Sequence, residues 1–303
     1  MDGVLNALTI DVEEHFHAHA FEAVIARSAW DTYPSRVVAN TRRILHLLGE
    51  HGVQATFFTL GWVADRHPDL VREIAAAGHE IATHGYWHEL VYRQTPDEFA
   101  ADLRRSLEAI GQALGGTPLT GYRAPSFSIT ARSLWALDVL RDYDMAYDSS
   151  IFPLSAHDRY GIGDADRFAN RLPAGLWEFP ASTVRLAGRN WPVAGGGYFR
   201  LLPLSITRRA IRHLNAEGHP AVVYLHPWEF DPEQPRVVGA SSLSRFRHYV
   251  NLERTEARLR ALLQRDRFGP IRQAFHDCLA AAPLGARSVP EPAQGERALE
   301  AGR

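Results

Sequence analysis

Not one of the 33 basic residues in this 303-residue chain is lysine; all are arginine. That removes every chemistry needing a side-chain primary amine, from Schiff-base catalysis to the phosphate-binding lysine of a P-loop. Cysteine is almost as scarce. Cys278 stands alone, which excludes an internal disulfide and any cysteine-built zinc cluster, so a metal has to sit on histidine and carboxylate. Charge of one sign is missing too: the formal net charge of −2 gives no basic field, and no nucleic-acid partner is expected. The chain has no apolar run long enough to span a bilayer, so stable membrane insertion is not expected either. The opening residues, Met1-Asp2-Gly3-Val4-Leu5-Asn6, lack the basic and apolar regions of a secretion signal, and a cytoplasmic address is expected.

What is present is a 46% hydrophobic composition, enough for one large core. One domain is expected over residues 1–282, and the Pro/Gly/Ala/Glu-rich, aperiodic stretch 283–303 is expected to be a disordered tail. Apolar runs at Leu5–Val12, Gln54–Leu60, His79–Ala82, Met145–Asp148 and Ala221–Leu225 predict strands. Between them lie helical patterns. Ser35 can cap the first, Pro68 opens the second over Asp69–Ala77, and Thr95-Pro96-Asp97-Glu98 is a capping box for a helix through Leu114. Thr130 can cap another with Leu134, Leu137 and Leu140 as its stripe, and Leu204–Ala216, Asn251–Gln264 and Ile271–Ala281 read as three more. From Ile151 to Arg200 the pattern loosens into short β-like pieces, among them Trp177–Pro180 and Gly195–Phe199. Such alternation implies an α/β fold with a mainly parallel sheet and helices outside, and in such barrels the chemistry gathers at the strands' C-terminal ends. Asp11, His84, Arg123 and Asp148 all fall at such ends.

The stretch Thr83-His84-Gly85-Tyr86-Trp87-His88-Glu89 carries two imidazoles four residues apart. On a helical turn both would face one side and could share an ion at the roughly 2.0–2.1 Å that zinc–nitrogen bonds require. Gly85 stands where a zinc-dependent protease needs glutamate, so that class is excluded. Asp11, Glu13 and Glu14 end the first strand; residues i and i+2 share a face, so Asp11 and Glu13 can meet in one site while Glu14 points away. His15, His17 and His19 follow at alternate positions and could line the same mouth, although buried-edge or surface roles suit at least two of them.

Taken in order, T-I-D-V-E-E, H-G-Y-W-H, Y-R-A-P-S-F-S, Y-D-S-S-I-F-P and Y-L-H-P-W-E-F resemble the polysaccharide deacetylase superfamily from about Leu8 to about Phe230. The later G-G-G-Y-F-R and N-L-E-R elements resemble the branch found beside exosortase and exopolysaccharide export systems. The resemblance implies a distorted (β/α) barrel with fewer than eight regular repeats. It also implies a divalent metal, usually zinc, on two histidines and one acid, with His84 and His88 matching the pair. Relatives usually read T-F-D-D where this chain reads Thr9-Ile10-Asp11-Val12-Glu13-Glu14; Asp11 is then expected as general base and Glu13 as the metal carboxylate, with Glu14 as the alternative. By the same resemblance Arg123 pairs with the base and the backbone N–H of Ser126 faces the oxyanion. His226 matches the acid that protonates the leaving amine, and Leu225 matches the residue packing against the acetyl methyl; beside these, Asp148 is expected as the orienting partner of His226 and Trp228 as a substrate contact.

These roles fit amide hydrolysis, which needs an activated water, a polarised carbonyl, a stabilised oxyanion and a proton for the departing amine. The implied substrate is an acetylated amino-sugar glycan, in the exopolysaccharide branch a polymer precursor. Two other readings compete: hydrolysis of a small cyclic amide or ureide, and carbohydrate binding without catalysis through Trp87, Trp177, Trp191 and Trp228. The sequence is silent on oligomeric state.

Overall fold

The computed structural model describes residues 3–155, 161–193 and 195–281. Its elements run β1 (Asn6–Val12), α1 (Val37–Glu50), β2 (Thr56–Thr59), α2 (Gly61–Arg66), α3 (Pro68–Ala76), β3 (Glu80–Thr83), α4 (Pro96–Ala113), β4 (Gly121–Tyr122), α5 (Trp135–Asp142) and β5 (Tyr147–Asp148). Next come β6 (Asn170–Arg171), β7 (Trp177–Glu178), the hairpin β8 (Thr183–Leu186) and β9 (Arg189–Pro192), α6 (Gly196–Leu201), α7 (Leu204–Ala216) and β10 (Val222–Leu225). The described chain ends through α8 (Ser242–Tyr249), α9 (Thr255–Leu263), β11 (Phe268–Gly269), α10 (Ile271–Ala274) and α11 (His276–Ala280).

The main sheet runs in the order β10-β1-β2-β3-β4-β5-β7-β6, parallel except for β6, with β11 added to the start of β1. After β7 the chain turns back to β10: the Val222 N–H donates to Ser182 Oγ at 2.8 Å, the Ser182 N–H to the Val222 carbonyl, and Gly195 bridges Tyr224. An irregular segment thus stands where a regular barrel would place a further βα unit, giving the expected distorted barrel.

Strand alternation sorts the side chains. On β1, Leu8, Ile10 and Val12 face the outer core with Ile44, Leu47 and Leu48 of α1, Val71 and Ile74 of α3 and Leu262 of α9, while Ala7 joins Phe58, Ala82, Tyr147, Val222 and Ile271 in the interior. Thr9 and Asp11 share Ala7's side, so the strand buries a carboxylate inside the barrel at its C-terminal end. The α4 start is as expected, with Thr95 Oγ1 accepting from the Glu98 N–H and the Glu98 carboxylate accepting from the Thr95 N–H.

Several expectations are corrected. Gly195–Phe199 is mostly helix, α6, because Gly195 and Gly196 lie against the Tyr224 ring and turn the chain there with φ of 159° and 48°. The helix expected over Ile271–Ala281 breaks at Phe275, whose ring plugs the interior 4.2 Å from that of Phe179. Residue Ser35 does not cap α1; its hydroxyl donates to Glu14, whose carboxylate does the capping. Leu134 lies outside α5 and is exposed. The tail expected over 283–303 lies outside the described residues.

Candidate active site

Asp11, His84, Arg123, Asp148 and His226 all lie at or just after the C-terminal ends of parallel strands, β1, β3, β4, β5 and β10 respectively. His84 and His88 do not share a helical turn. Residues 84–90 form a loop, and the Asp102 carboxylate of α4 shapes it by accepting from the Tyr86 and Trp87 N–H groups at 2.8 and 3.0 Å. Gly85, at φ 74°, is required there: a Cβ would come within 2.8 Å of the Asp102 carboxylate. His88 takes the left-handed region itself, at φ 53°, which turns its ring back toward His84, and the two centroids lie 5.4 Å apart.

The loop brings one ligand atom from each of Glu13, His84 and His88 within 4.8 Å of one another, the single such cluster among the described residues. Two of the three donors are held by contacts from outside the cluster. The His84 Nδ1–H donates to the Arg123 carbonyl at 2.8 Å, which leaves Nε2 as its free donor atom. Glu13 Oε1 accepts from the Trp228 indole N–H at 2.8 Å, while Oε2 faces His88 Nε2 at 2.7 Å and has no well-aligned hydrogen bond. Burial holds the His84 imidazole neutral, its pKa lowered to about 4. Burial pushes Glu13 up, but the facing His88 and, behind it, His226 outweigh this and hold its carboxyl well below the ordinary range. Two imidazole nitrogens and one carboxylate oxygen form a donor set suited to a divalent ion.

Glu14 turns the other way, as alternation requires. Its Oε1 accepts from the Arg36 and Val37 N–H groups at 3.0 and 3.1 Å and from the Ser35 hydroxyl, placing an anion on the N-terminus of α1. The two neighbouring glutamates should therefore fail differently. Glu13→Ala is expected to strip a divalent ion at constant fold. Glu14→Ala should leave metal content alone and cost about 1–2 kcal/mol of stability as a lost helix cap. Metal analysis beside thermal melts of the two proteins checks this, and metal lost from Glu14→Ala would overturn the assignment.

Asp11 and Arg123 form a buried ion pair, Oδ1 to Nη1 at 2.8 Å. The same guanidinium donates to Thr9 Oγ1, to the Ser149 carbonyl and to Ser149 Oγ, and lies over the Phe58 ring at 4.1 Å. Asp11 Oδ2 is left facing His226 Nε2 at 3.8 Å. After Arg123 the loop places two consecutive non-glycine residues, Ser126 and Phe127, in the left-handed region at φ 53° each, a conformation costing roughly 1–2 kcal/mol per residue. The Ser150 hydroxyl anchors this loop by accepting from the Ala124 N–H at 2.7 Å. Among the described residues no protein acceptor takes the Ser126 N–H.

His226 is not oriented by Asp148. Its Nδ1 pairs with Glu229 Oε1 at 2.7 Å, and the same oxygen accepts the His226 backbone N–H, because the turn Pro227–Phe230 brings position i+3 back over position i. Glu229 Oε2 in turn accepts from Arg200 Nε at 2.6 Å, and buried Arg200 is fixed by the carbonyls of His248, Val250 and Arg247. Burial pushes His226 down, but the Glu229 hydrogen bond and the charges of Glu13, Glu229 and Asp11 outweigh it and hold the ring up at about 9. Its side chain keeps 17% of its surface open, so a substrate can reach it. Asp148 serves elsewhere: it accepts from the Ser150 hydroxyl and stands beside Glu178 across the β5–β7 pair, where burial raises both carboxyls and favours a proton between them.

Two substrate-contact expectations are also corrected. Leu225 pairs in register with Ile10 on the outer face and packs in the outer core; alternation places Tyr224 on the inward side, 5.9 Å from the His226 ring. Trp228 spends its N–H on Glu13 and stacks against both His226 and His248, at 5.0 and 4.1 Å, so it positions the carboxylate rather than presenting a ring to a ligand. Arg200, Glu229, Asp102 and Thr9 stand in no motif that marks their part here; the H-x-x-E spacing of His226 and Glu229 is the one signal the sequence offers.

A cleft of about 290 Å³ opens on the His88 side, walled by Phe16, Trp30, Trp87 and Ile25 with His17, His19, Arg27 and Glu89. His17 is buried there, accepting from the Glu14 N–H, while His15 is buried without joining the cleft. A larger cavity of about 690 Å³ lies between α5 and the stretch before β7 and touches none of the three clustered donors. No described helix is long and apolar enough to cross a membrane.

A polysaccharide deacetylase profile matches residues 25–147, and a domain of unknown function (DUF3473) matches residues 149–276. A chitooligosaccharide deacetylase from Rhizobium leguminosarum bv. trifolii is 41% identical over 73 residues, 24% of this chain and 34% of the relative. A peptidoglycan-N-acetylglucosamine deacetylase from Bacillus cereus is 36% identical over 78 residues, 26% of this chain and 28% of the relative. The match thus spans about a third or less of these curated proteins. Among solved structures, one from Mycobacterium smegmatis, provisionally named a polysaccharide deacetylase, superposes with a TM-score of 0.61 over 96% of both chains at 22% identity, a likeness of fold.

Proposed function

The chain belongs to the polysaccharide deacetylase superfamily, and from that premise we propose that it is a metal-dependent hydrolase removing N-acetyl groups from an amino-sugar polysaccharide. The observation that carries this reading is the convergence of Glu13, His84 and His88 beside the Asp11–Arg123 pair and His226. A divalent ion on those three donors, zinc being the usual one, would supply Lewis acidity toward an amide carbonyl and its attacking water. The protein's own groups do the rest. Arg123 holds Asp11 by Oδ1 and aims it, so Oδ2 takes a proton from the water as the C–O bond forms. The Ser126 N–H offers a hydrogen bond to the developing oxyanion. His226, carrying a proton held by Glu229, gives it to the nitrogen as the C–N bond breaks, releasing acetate and a free amine.

We read residues 1–282 as one catalytic unit. Glu13, His84, His88 and Asp11 come from its first half, and the acid His226 with its supports comes from the second. Placement in exopolysaccharide biosynthesis is part of the proposal and rests on the G-G-G-Y-F-R and N-L-E-R likeness. Purified protein should hold about one divalent ion per chain and release acetate from acetylated amino-sugar oligomers. Chelation should stop the reaction and added zinc restore it, and His84→Ala or His88→Ala should lose both ion and activity. Undiminished acetate release after chelation, or full metal in both variants, would overturn the reading.

A further inference from the structure

α8 is built the wrong way round for a solvated surface helix. Its buried position is a polar one, His248, whose ring lies 4.5 Å from Phe21, while Leu243 and Phe246 are 57% and 56% exposed. At 100° per residue those two positions lie about 140–160° around the helix from His248, on the side facing away from the protein. Ahead of the helix Val238 is 89% exposed, and Gly239 lies against Val24, itself among the exposed apolar residues. An apolar face is therefore presented to solvent where a polar one would be expected.

Charge along the stretch that carries it has one sign. Between residues 234 and 250 stand Arg236, Arg245 and Arg247 and no acidic residue, although the chain as a whole carries a net charge of −2. All three arginines are exposed. Arg236 lies over the Tyr249 ring at 4.1 Å, and among the described ion pairs none involves Arg245 or Arg247. Aromatic and aliphatic side chains facing outward among unpaired arginines are what an acyl–headgroup boundary of negative charge accommodates. The location matters as well. α8 packs on the turn His19–Phe21, and His19, Glu22 and Ile25 of the same segment line the cleft beside His88.

We propose that the outward face of α8, with Val238 and the three arginines, is a docking surface for an anionic lipid bilayer, placed beside the mouth of the active-site cleft. It is peripheral contact, not insertion. Because the proposal concerns binding alone, its test is independent of the deacetylase reading.

The experiment is co-sedimentation of the full chain with phosphatidylcholine vesicles and with mixed phosphatidylcholine/phosphatidylglycerol vesicles at low and high salt. Binding is expected to the mixed vesicles and to weaken with salt. Leu243→Ser/Phe246→Ser should lower partitioning by about tenfold or more. Arg245→Ser should lower it by about fivefold at low salt. Leu186→Ser/Trp191→Ser, in the exposed β8–β9 hairpin, should leave it unchanged. All these positions lie outside the active site, so circular dichroism and hydrolysis of a soluble substrate should match wild type and report folding. Equal binding to neutral vesicles, binding retained by both α8 variants, or binding lost only with the hairpin variant would overturn the proposal. So would no vesicle binding together with self-association that disappears in Leu243→Ser/Phe246→Ser, since the face would then belong to a second copy of the chain.

Discussion

His226→Ala protein is expected to keep its divalent ion and to lose about 10²–10⁴ of kcat on an N-acetyl sugar, the range for one acid–base group. The ring contributes no atom to the Glu13, His84, His88 cluster, so removing it leaves the donors in place. What disappears is the proton for the departing amine. An aryl acetate, whose leaving oxygen hardly needs that proton, should show a much smaller deficit, and an equal deficit on both substrates would make His226 a packing residue instead. The pH profile gives a second readout. A pKa raised to about 9 from its ordinary 6.5 means the acid form persists through neutrality and activity falls as pH rises through about 9. By the same sign, the stability that His226 contributes is fully present below pH 6.5 and lost through about 9. A cation at Glu13 would weaken one of the charges that raise it, but not the direct bond to Glu229. Glu229→Gln should therefore move the alkaline limb to lower pH while metal content stays constant; an unmoved limb would remove Glu229 from this role.

A loss of similar size is expected for Asp11→Asn, again about 10²–10⁴ in kcat with metal retained. Asn can still accept from Arg123 through its carbonyl oxygen, so the isostere preserves packing and removes only the basic oxygen. Arg123 would then be a buried guanidinium without its carboxylate, and a stability cost of a few kcal/mol is expected beside the kinetic one. Arg123→Lys should also be costly, since a lysine cannot donate at once to Asp11, Thr9 and both oxygens of Ser149. Metal analysis, single-turnover acetate release and thermal melts of the Asp11→Asn protein separate these effects. Loss of the ion on Asp11→Asn would make Asp11 a ligand rather than the base.

Much of this was legible from residue patterns, and the failures have physical causes. A buried, β-branched run such as Leu8–Val12 has one stable reading, and its period of two correctly separated Glu13 from Glu14. The same period, applied to Tyr224 and Leu225, places Leu225 on the outer face with Ile10, against what the motif implies. The pair His84 and His88 was found for an incomplete reason: the spacing mattered, but a glycine at positive φ and the Asp102 carboxylate fold the loop, and no periodicity encodes either. Asp148 shares its strand-end position with Asp11 and His84, while its partners Ser150 and Glu178 lie two residues away and across a strand pair. The stretch from His15 to Thr32, all short turns, walls the cleft and has no period to detect.

The indole of Trp228 ties two halves of the polypeptide that family profiles divide at residue 148. Its N–H steadies the carboxylate Glu13 from the first half, and its ring rests on His226 and His248 from the second. A chimera taking its first 148 residues from one relative and the remainder from another would thus inherit an indole donor and a carboxylate acceptor that had not evolved together. Where either partner differs in length or reach, such a hybrid would fold its sheet and still misplace the Glu13 carboxylate relative to His84 and His88, so recombination between relatives should succeed only when Glu13 and Trp228 are exchanged as a pair.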